Sequence, residues 1–385
     1  TGTGTRLTMT GVGSFCVGEG NHAGRTWRLV ASDGGTLAFG AGADVFLQAA
    51  GTALLCATNG GCIEVATPLY MGTANSTITT CVHLVDAEMR ATAAVTVGEV
   101  SGKGAATFAA TNAKVSLANF YVANGAENPA TVFGQNTAWS VDRFLLGYRN
   151  SAGAGTVTLD GGSWSNATEV FAVGYNGSPT AEPTFTATNV AFFTTNIFVS
   201  GSAAYPARLH LKDCSWVATG DIAVGHGGTA EMIIDGGTQT FACVHPVNHT
   251  KGSCTVTVRA SIGGANGSGR GTLRLRGADR VTTFGTEGGE FYVGNETGSE
   301  GWVHHEAGTT YIGTATSAIT VWLSSRGTSY FGVTGGTVHC YSQFNTARGN
   351  AAIGVSGGRL YATAINLGNS DTTQNPVQTF TITGG

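Results

Sequence analysis

A chain of 385 residues with a formal net charge of −4 and only 11% charged residues lacks the basic excess that wholesale binding to nucleic acid or to an anionic membrane requires. Its 60 glycines are well above ordinary usage, yet 42% hydrophobic content is too high for a disordered glycine-rich chain, which would lack the apolar surface to offset its ordering entropy. No apolar run of about 18 residues occurs, so no transmembrane helix is expected.

In chain order, the sequence reads as short strands punctuated by turns. LTMT (Leu7 to Thr10) and SFCVG (Ser14 to Gly18) form a first strand-turn-strand unit, and TWRLVASDGGTLAFG (Thr26 to Gly40) a second. DVFLQAAG, ALLCATNGGCIEVAT and ITTCVHLV carry the series to Val85. AAVTVGEV, ATFAATNAKVSLANFYVANG and ATVFGQNTAWSVDRFLLG extend it to Gly147.

The clearest unit is TVTLDGGSWSNATEVFAVG (Thr156 to Gly174). Val157 and Leu159 alternate with Thr156, Thr158 and Asp160, the period-two pattern of a half-buried strand, and Asp160-Gly161-Gly162 supplies residues suited to a tight turn. The same grammar returns at Arg208 to Gly225, at Thr272 to Gly294, and through WVHHEAGTTYIG, ITVWLSSRG, FGVTGGTVHC and IGVSGGRLYATAINLG to FTITGG at the end.

Helical periodicity is nearly absent, and matching strands recur mostly at mid-twenties spacing. These features predict an all-β, single-stranded parallel β-solenoid of about fourteen irregular coils, each of roughly 22–30 residues. It is expected to form one elongated domain over residues 1–385, with a loop excursion near 243–254. Propeller blades need about 40–50 residues per repeat, which is longer. The chain starts and stops inside this grammar without a polar cap, so it is expected to be a processed chain or a segment, and either continuation or head-to-tail association would cover its open strand edges.

The phrases VTLDGGSW…VFAVGYNGS, GEFYVGNETGSEGWVHHEAGT and IGVSGGRLYATAINLGNS resemble the glycine-rich repeats of bacterial autotransporter passengers and related secreted β-helix surface proteins. The GGAI and FxxN repeats of the polymorphic outer-membrane branch are not present. The resemblance implies an exported rod at the cell surface or outside the cell, serving adhesion, matrix or filament building.

Candidate chemistry is sparse. Among the signatures of polygalacturonase-like β-helices, only the triplet Gly225-His226-Gly227 occurs. Asp160, Asp213 and Asp235 occupy similar places in their units, where they read as turn residues or as an acidic ladder weakly binding Ca²⁺. Of eight cysteines, Cys56 and Cys62 flank one turn and Cys243 and Cys254 flank a loop. Each pair is a candidate disulfide in an oxidising compartment, with buried free thiols the alternative.

His245 and His249 lie between Cys243 and Cys254, so Zn²⁺ is a further reading of that loop. His304 and His305 face opposite ways if they lie on a strand. Arg270, Arg274, Arg276 and Arg280 read as a solvated outer face. Sequons at Asn75, Asn166, Asn176, Asn248, Asn266 and Asn295 are candidate glycan acceptors, and Trp139, Trp164 and Trp216 read as turn-packing residues, with contact to sugars the alternative.

The expectation is therefore a non-enzymatic extracellular structural protein without a resident cofactor, associating head to tail and contacting surface glycans or matrix proteins. A polysaccharide-binding or polysaccharide-cleaving β-helix is the alternative.

Overall fold

The computed structural model describes residues 4–11, 13–18, 24–47, 51–72, 79–99, 104–124, 128–147, 154–174, 181–202, 204–225, 227–242, 253–256, 269–294, 297–324, 327–346, 348–368 and 377–383. They contain 35 β-strands and no helix. Parallel pairing stacks the strands as a β-solenoid of about 12 turns, slightly fewer than the fourteen that the sequence suggests. The strand series groups into two compact units, one of Thr1–Val170 with Gly174–Ala191 and the other of Phe171–Val173 with Phe192–Gly385.

In the first unit each coil contributes strands to three parallel faces. One face stacks Thr26–Ser32, Thr52–Thr58, Thr80–Val85 and Ala106–Thr111. A second stacks Arg6–Met9, Thr36–Phe39 and Cys62–Val65, and a third stacks Gly13–Val17, Ala43–Leu47 and Leu69–Met71. In the longer strands Glu88–Val97 and Lys114–Val122 the second and third faces become continuous.

Strict register turns the alternating sequence into vertical columns. Leu37, Ile63, Met89, Val115 and Trp139 stack inward on the second face, and Val45, Leu69, Val95, Phe120 and Phe144 on the third. All ten are buried. Each strand thus needs apolar residues only at every second position, which is the pattern the sequence carries.

The turns repeat as faithfully as the strands. Asp33, Asn59, Asp86, Asn112 and Asn136 hold φ between 47° and 53° at one corner of successive coils. Asn59, Asp86 and Asn112 each donate a backbone N–H to the coil above, at 3.2, 3.0 and 2.9 Å. Asn and Asp tolerate the left-handed region better than other side chains, so the corner selects them.

The second unit uses the same plan. Leu209, Met232, Leu273, Val303, Phe331 and Ile353 form the inner column of its first face, and Phe291, Val321 and Phe344 one of its third. Its second face differs, because Gln239, Thr282 and Thr310 stand in register inside the core and are fully buried. Arg280, also fully buried, completes this polar column. Its guanidinium donates to Thr282 Oγ1 (2.6 Å), the Ala307 carbonyl (2.7 Å) and Thr310 Oγ1 (3.1 Å), while Thr282 donates to Gln239 Oε1 (2.6 Å). Neutral acceptors engage both terminal nitrogens of the Arg280 guanidinium, which lowers the cost of its burial, while its Nε has no partner among the described residues.

Candidate functional site

The sequence-derived candidates do not converge on one place. Asp160 is exposed and stands in register with Thr188. Asp235 stands between Lys212 and Arg276, while Asp213 is one position further along and holds φ 52° at a corner, with its carboxylate over Gly236. Asp213 and Asp235 therefore do not stack on one another. Among the described residues no group of three or more His, Cys, Asp or Glu gathers as a metal site would require.

Cys56 and Cys62 are free thiols, which corrects the disulfide expectation for this pair. The turn at Asn59 and Gly60 sends their strands to different faces, Cys56 into Thr52–Thr58 and Cys62 into Cys62–Val65. Burial, followed by the nearby Glu64 carboxylate, pushes the Cys62 thiol above its ordinary pKa. Cys243, His245 and His249 lie outside the described residues, as does the side chain of Cys254, whose backbone pairs with Ile222 and Phe291.

Asn166 is fully buried. Its side-chain amide donates to the carbonyls of Val141 (2.9 Å) and Asp142 (2.8 Å), so it is a structural donor inside the first unit and no glycan acceptor in the folded chain. Asn75, Asn176, Asn248, Asn266, Asn295 and His226 lie outside the described residues.

Trp139, Trp164 and Trp216 are core residues. Trp139 stacks on Trp164 at 5.5 Å and on Phe120 at 5.8 Å, and Trp216 packs against Phe192 at 5.0 Å. The aromatics available for contact lie elsewhere in the sequence, on the solvent side of the second unit's strands. Trp302 and Tyr330 meet across neighbouring strands at 6.1 Å with their planes tilted by 46°, and Tyr311, His339 and Tyr361 stack in one ladder at 5.3 and 4.9 Å. Their signal is an aromatic at the outward position of WVHH, TSYFG, TTYI, TVHC and RLY, opposite the core-facing residue.

Charges form ladders on these outer faces. In the first unit Glu64 accepts from Arg6 at 2.6 Å, and Glu88 holds Arg90 at 2.6 Å and Lys114 at 3.6 Å. Hydrogen bonding to Arg90 draws the Glu88 carboxyl below its usual pKa. In the second unit Arg274 donates to Glu231 (2.9 Å) and Glu306 (3.1 Å), Arg276 to Glu306 (3.0 Å), and Arg270 pairs with Glu300 (2.7 Å). Three of the four clustered arginines are thus outer-face residues, as expected; Arg280 is the exception. His304 faces outward and His305 inward, as alternation on Glu300–His305 requires.

The terminal strands are the other conspicuous surface. Arg6–Met9 pairs with Thr36–Phe39, Gln378–Ile382 pairs with Asn350–Val355, and no described strand covers their other edges. Leu7 is 50% and Ile382 71% exposed, and Phe380 and Val377 are exposed as well. A hollow of about 170 Å³ opens at the amino-terminal end, lined by Met9, Gly11, Phe15, Phe39 and Val45 among others. Comparison of this chain with protein-family models, with curated proteins and with solved structures finds no match.

Proposed function

We propose that this chain is a non-catalytic structural β-solenoid that works outside the cell and assembles head to tail with further copies of itself. The observation that supports this most directly is the exposed apolar side chains on the outermost described strands. The carboxyl-terminal strand exposes Phe380 (37%) and Ile382 (71%), and the amino-terminal coil holds a hollow of about 170 Å³ lined in part by Met9, Phe15 and Phe39.

Among the described residues no strand lies on the outer edges of Arg6–Met9 and Gln378–Ile382, and a strand of a second copy can continue the hydrogen-bond ladder there. Such a contact is heterologous: the two surfaces differ, and repetition gives a filament, not a closed dimer. The extracellular setting rests on the glycine-rich repeat character of the sequence.

Negative-stain microscopy together with sedimentation velocity over a range of protein concentrations tests this. Filaments or concentration-dependent oligomers are expected, with an axial repeat of one chain. A species that stays monomeric at the highest concentration reached would overturn the proposal.

A further inference from the structure

We propose that the outer face carrying Trp302, His304 and Tyr330 binds a neutral, ribbon-like β-1,4-linked polysaccharide by stacking its flat sugar faces on the two aromatic rings. This goes beyond the assembly proposal and does not depend on it.

The first support is how Tyr330 is seated. A Cβ built on Gly332 would lie 2.6 Å from both Cε1 and Oη of Tyr330, and one on Gly354 would lie 3.1 Å from Oη. The ring therefore lies down over its own strand and reaches towards the next coil. Neither glycine has a left-handed φ, so the backbone does not require glycine at either position; the ring uses the space. Trp302, one coil earlier and in register with Tyr330, adds a second ring at a separation of 6.1 Å, its plane tilted 46° from that of Tyr330. Both rings are half-buried, on the side of the sheet opposite the core residues Val303 and Phe331. Parallel strands recur at roughly 4.8 Å, a spacing on the scale of one pyranose, so a chain laid along the stack meets a ring at each of these two coils, with Thr272 and Ala352 at the same position one coil to either side.

The second support is what borders the shelf. His304 packs against Tyr330 at 5.5 Å and stands in register with Arg274. Arg274 and Arg276 are held by Glu231 and Glu306, so two cations and two anions balance. Such an edge offers fixed donors and acceptors to hydroxyl groups but little net charge to a polyanion. Burial, and then the Arg274 charge, lowers the His304 pKa below its ordinary value. A neutral imidazole both donates and accepts, which matches a hydroxyl.

Retention of the purified full chain on amorphous cellulose and on glucomannan tests the proposal, with polygalacturonate as an acidic control. Wild type is expected to be retained by a neutral polymer in high salt. Trp302→Ala and Tyr330→Ala should each weaken retention about tenfold or more, as loss of a central aromatic anchor does. Gly332→Ala, which lifts the Tyr330 ring, should weaken it as well, whereas Tyr361→Ala on a neighbouring face should not. Near-ultraviolet circular dichroism and thermal unfolding establish that each variant is folded. Failure of wild type to bind either neutral polymer, retention on polygalacturonate alone, or undiminished retention of a folded Trp302→Ala/Tyr330→Ala double variant would overturn the proposal.

Discussion

The corner residues and one buried histidine show how much single side chains decide here. Asn112 holds φ 48° and its amide donates to Asp86 Oδ1 of the preceding coil at 3.2 Å. Asn112→Ala is expected to cost about 1 kcal/mol, because a Cβ without a local polar partner is strained in the left-handed region. Asn112→Gly should cost less, and urea unfolding of the two variants measures the difference.

His305 is fully buried; its Nδ1 donates to the Gly335 carbonyl at 2.7 Å, and its Nε2 has no partner among the described residues. Burial first, and then the Arg280 charge, brings its pKa down from 6.5 to about 4. Between those values the unfolded chain binds a proton that the folded chain refuses. Its contribution to stability is therefore full above about pH 6.5 and is lost as the pH falls towards 4. The urea midpoint of wild type should drop more between pH 7 and pH 4.5 than that of His305→Gln. Equal drops would place the acid sensitivity elsewhere.

At the scale of elements, the interior is held by columns in which each side chain touches its counterparts one coil away. Trp139 is the clearest case in the first unit, with Phe108 at 5.5 Å, Phe120 at 5.8 Å and Trp164 at 5.5 Å around it. A Cβ on Gly134 would come within 2.9 Å of its indole nitrogen. Trp139→Ala is expected to destabilise the chain by about 3–5 kcal/mol, since rigid neighbouring strands cannot close the cavity. Chemical denaturation measures this, and a loss below about 1 kcal/mol would mean that the column repacks. The polar column of Gln239, Thr282, Arg280 and Thr310 follows the same register logic with hydrogen bonds replacing ring contacts.

At the scale of the whole molecule, the proposed head-to-tail assembly draws on the exposed apolar side chains of the outermost described strands. An exposed apolar edge is an invitation to pair, and proteins that remain monomeric usually blunt it with charge. Replacing Ile382, which is 71% exposed, by lysine adds that charge at a position already in solvent, so the fold should be retained. The variant is expected to sediment as a monomer at concentrations where wild type assembles. Undiminished assembly would move the interface away from this end.

The sequence by itself determined the class of fold. Alternation in stretches such as TVTLD and EMIID, turn residues at regular intervals and the mid-twenties spacing suffice for stacked parallel strands, because strand periodicity and turn chemistry are local properties. It also placed His304 and His305 on opposite sides and Arg274 outward. Only the tertiary structure decided which residues occupy one column, because register is a relation between coils. A shift of one position separates Asp213 from Asp235, the turn at Asn59 and Gly60 sends Cys56 and Cys62 to different faces, and Asn166 and Arg280 are buried where composition suggests solvent. The same relation carries Trp139, Trp164 and Trp216 into the core and lays Tyr330 over Gly332 beside Trp302. The outward position of each ring is legible in WVHH and TSYFG, but their pairing is not, for the two rings are separated by the whole circumference of a coil.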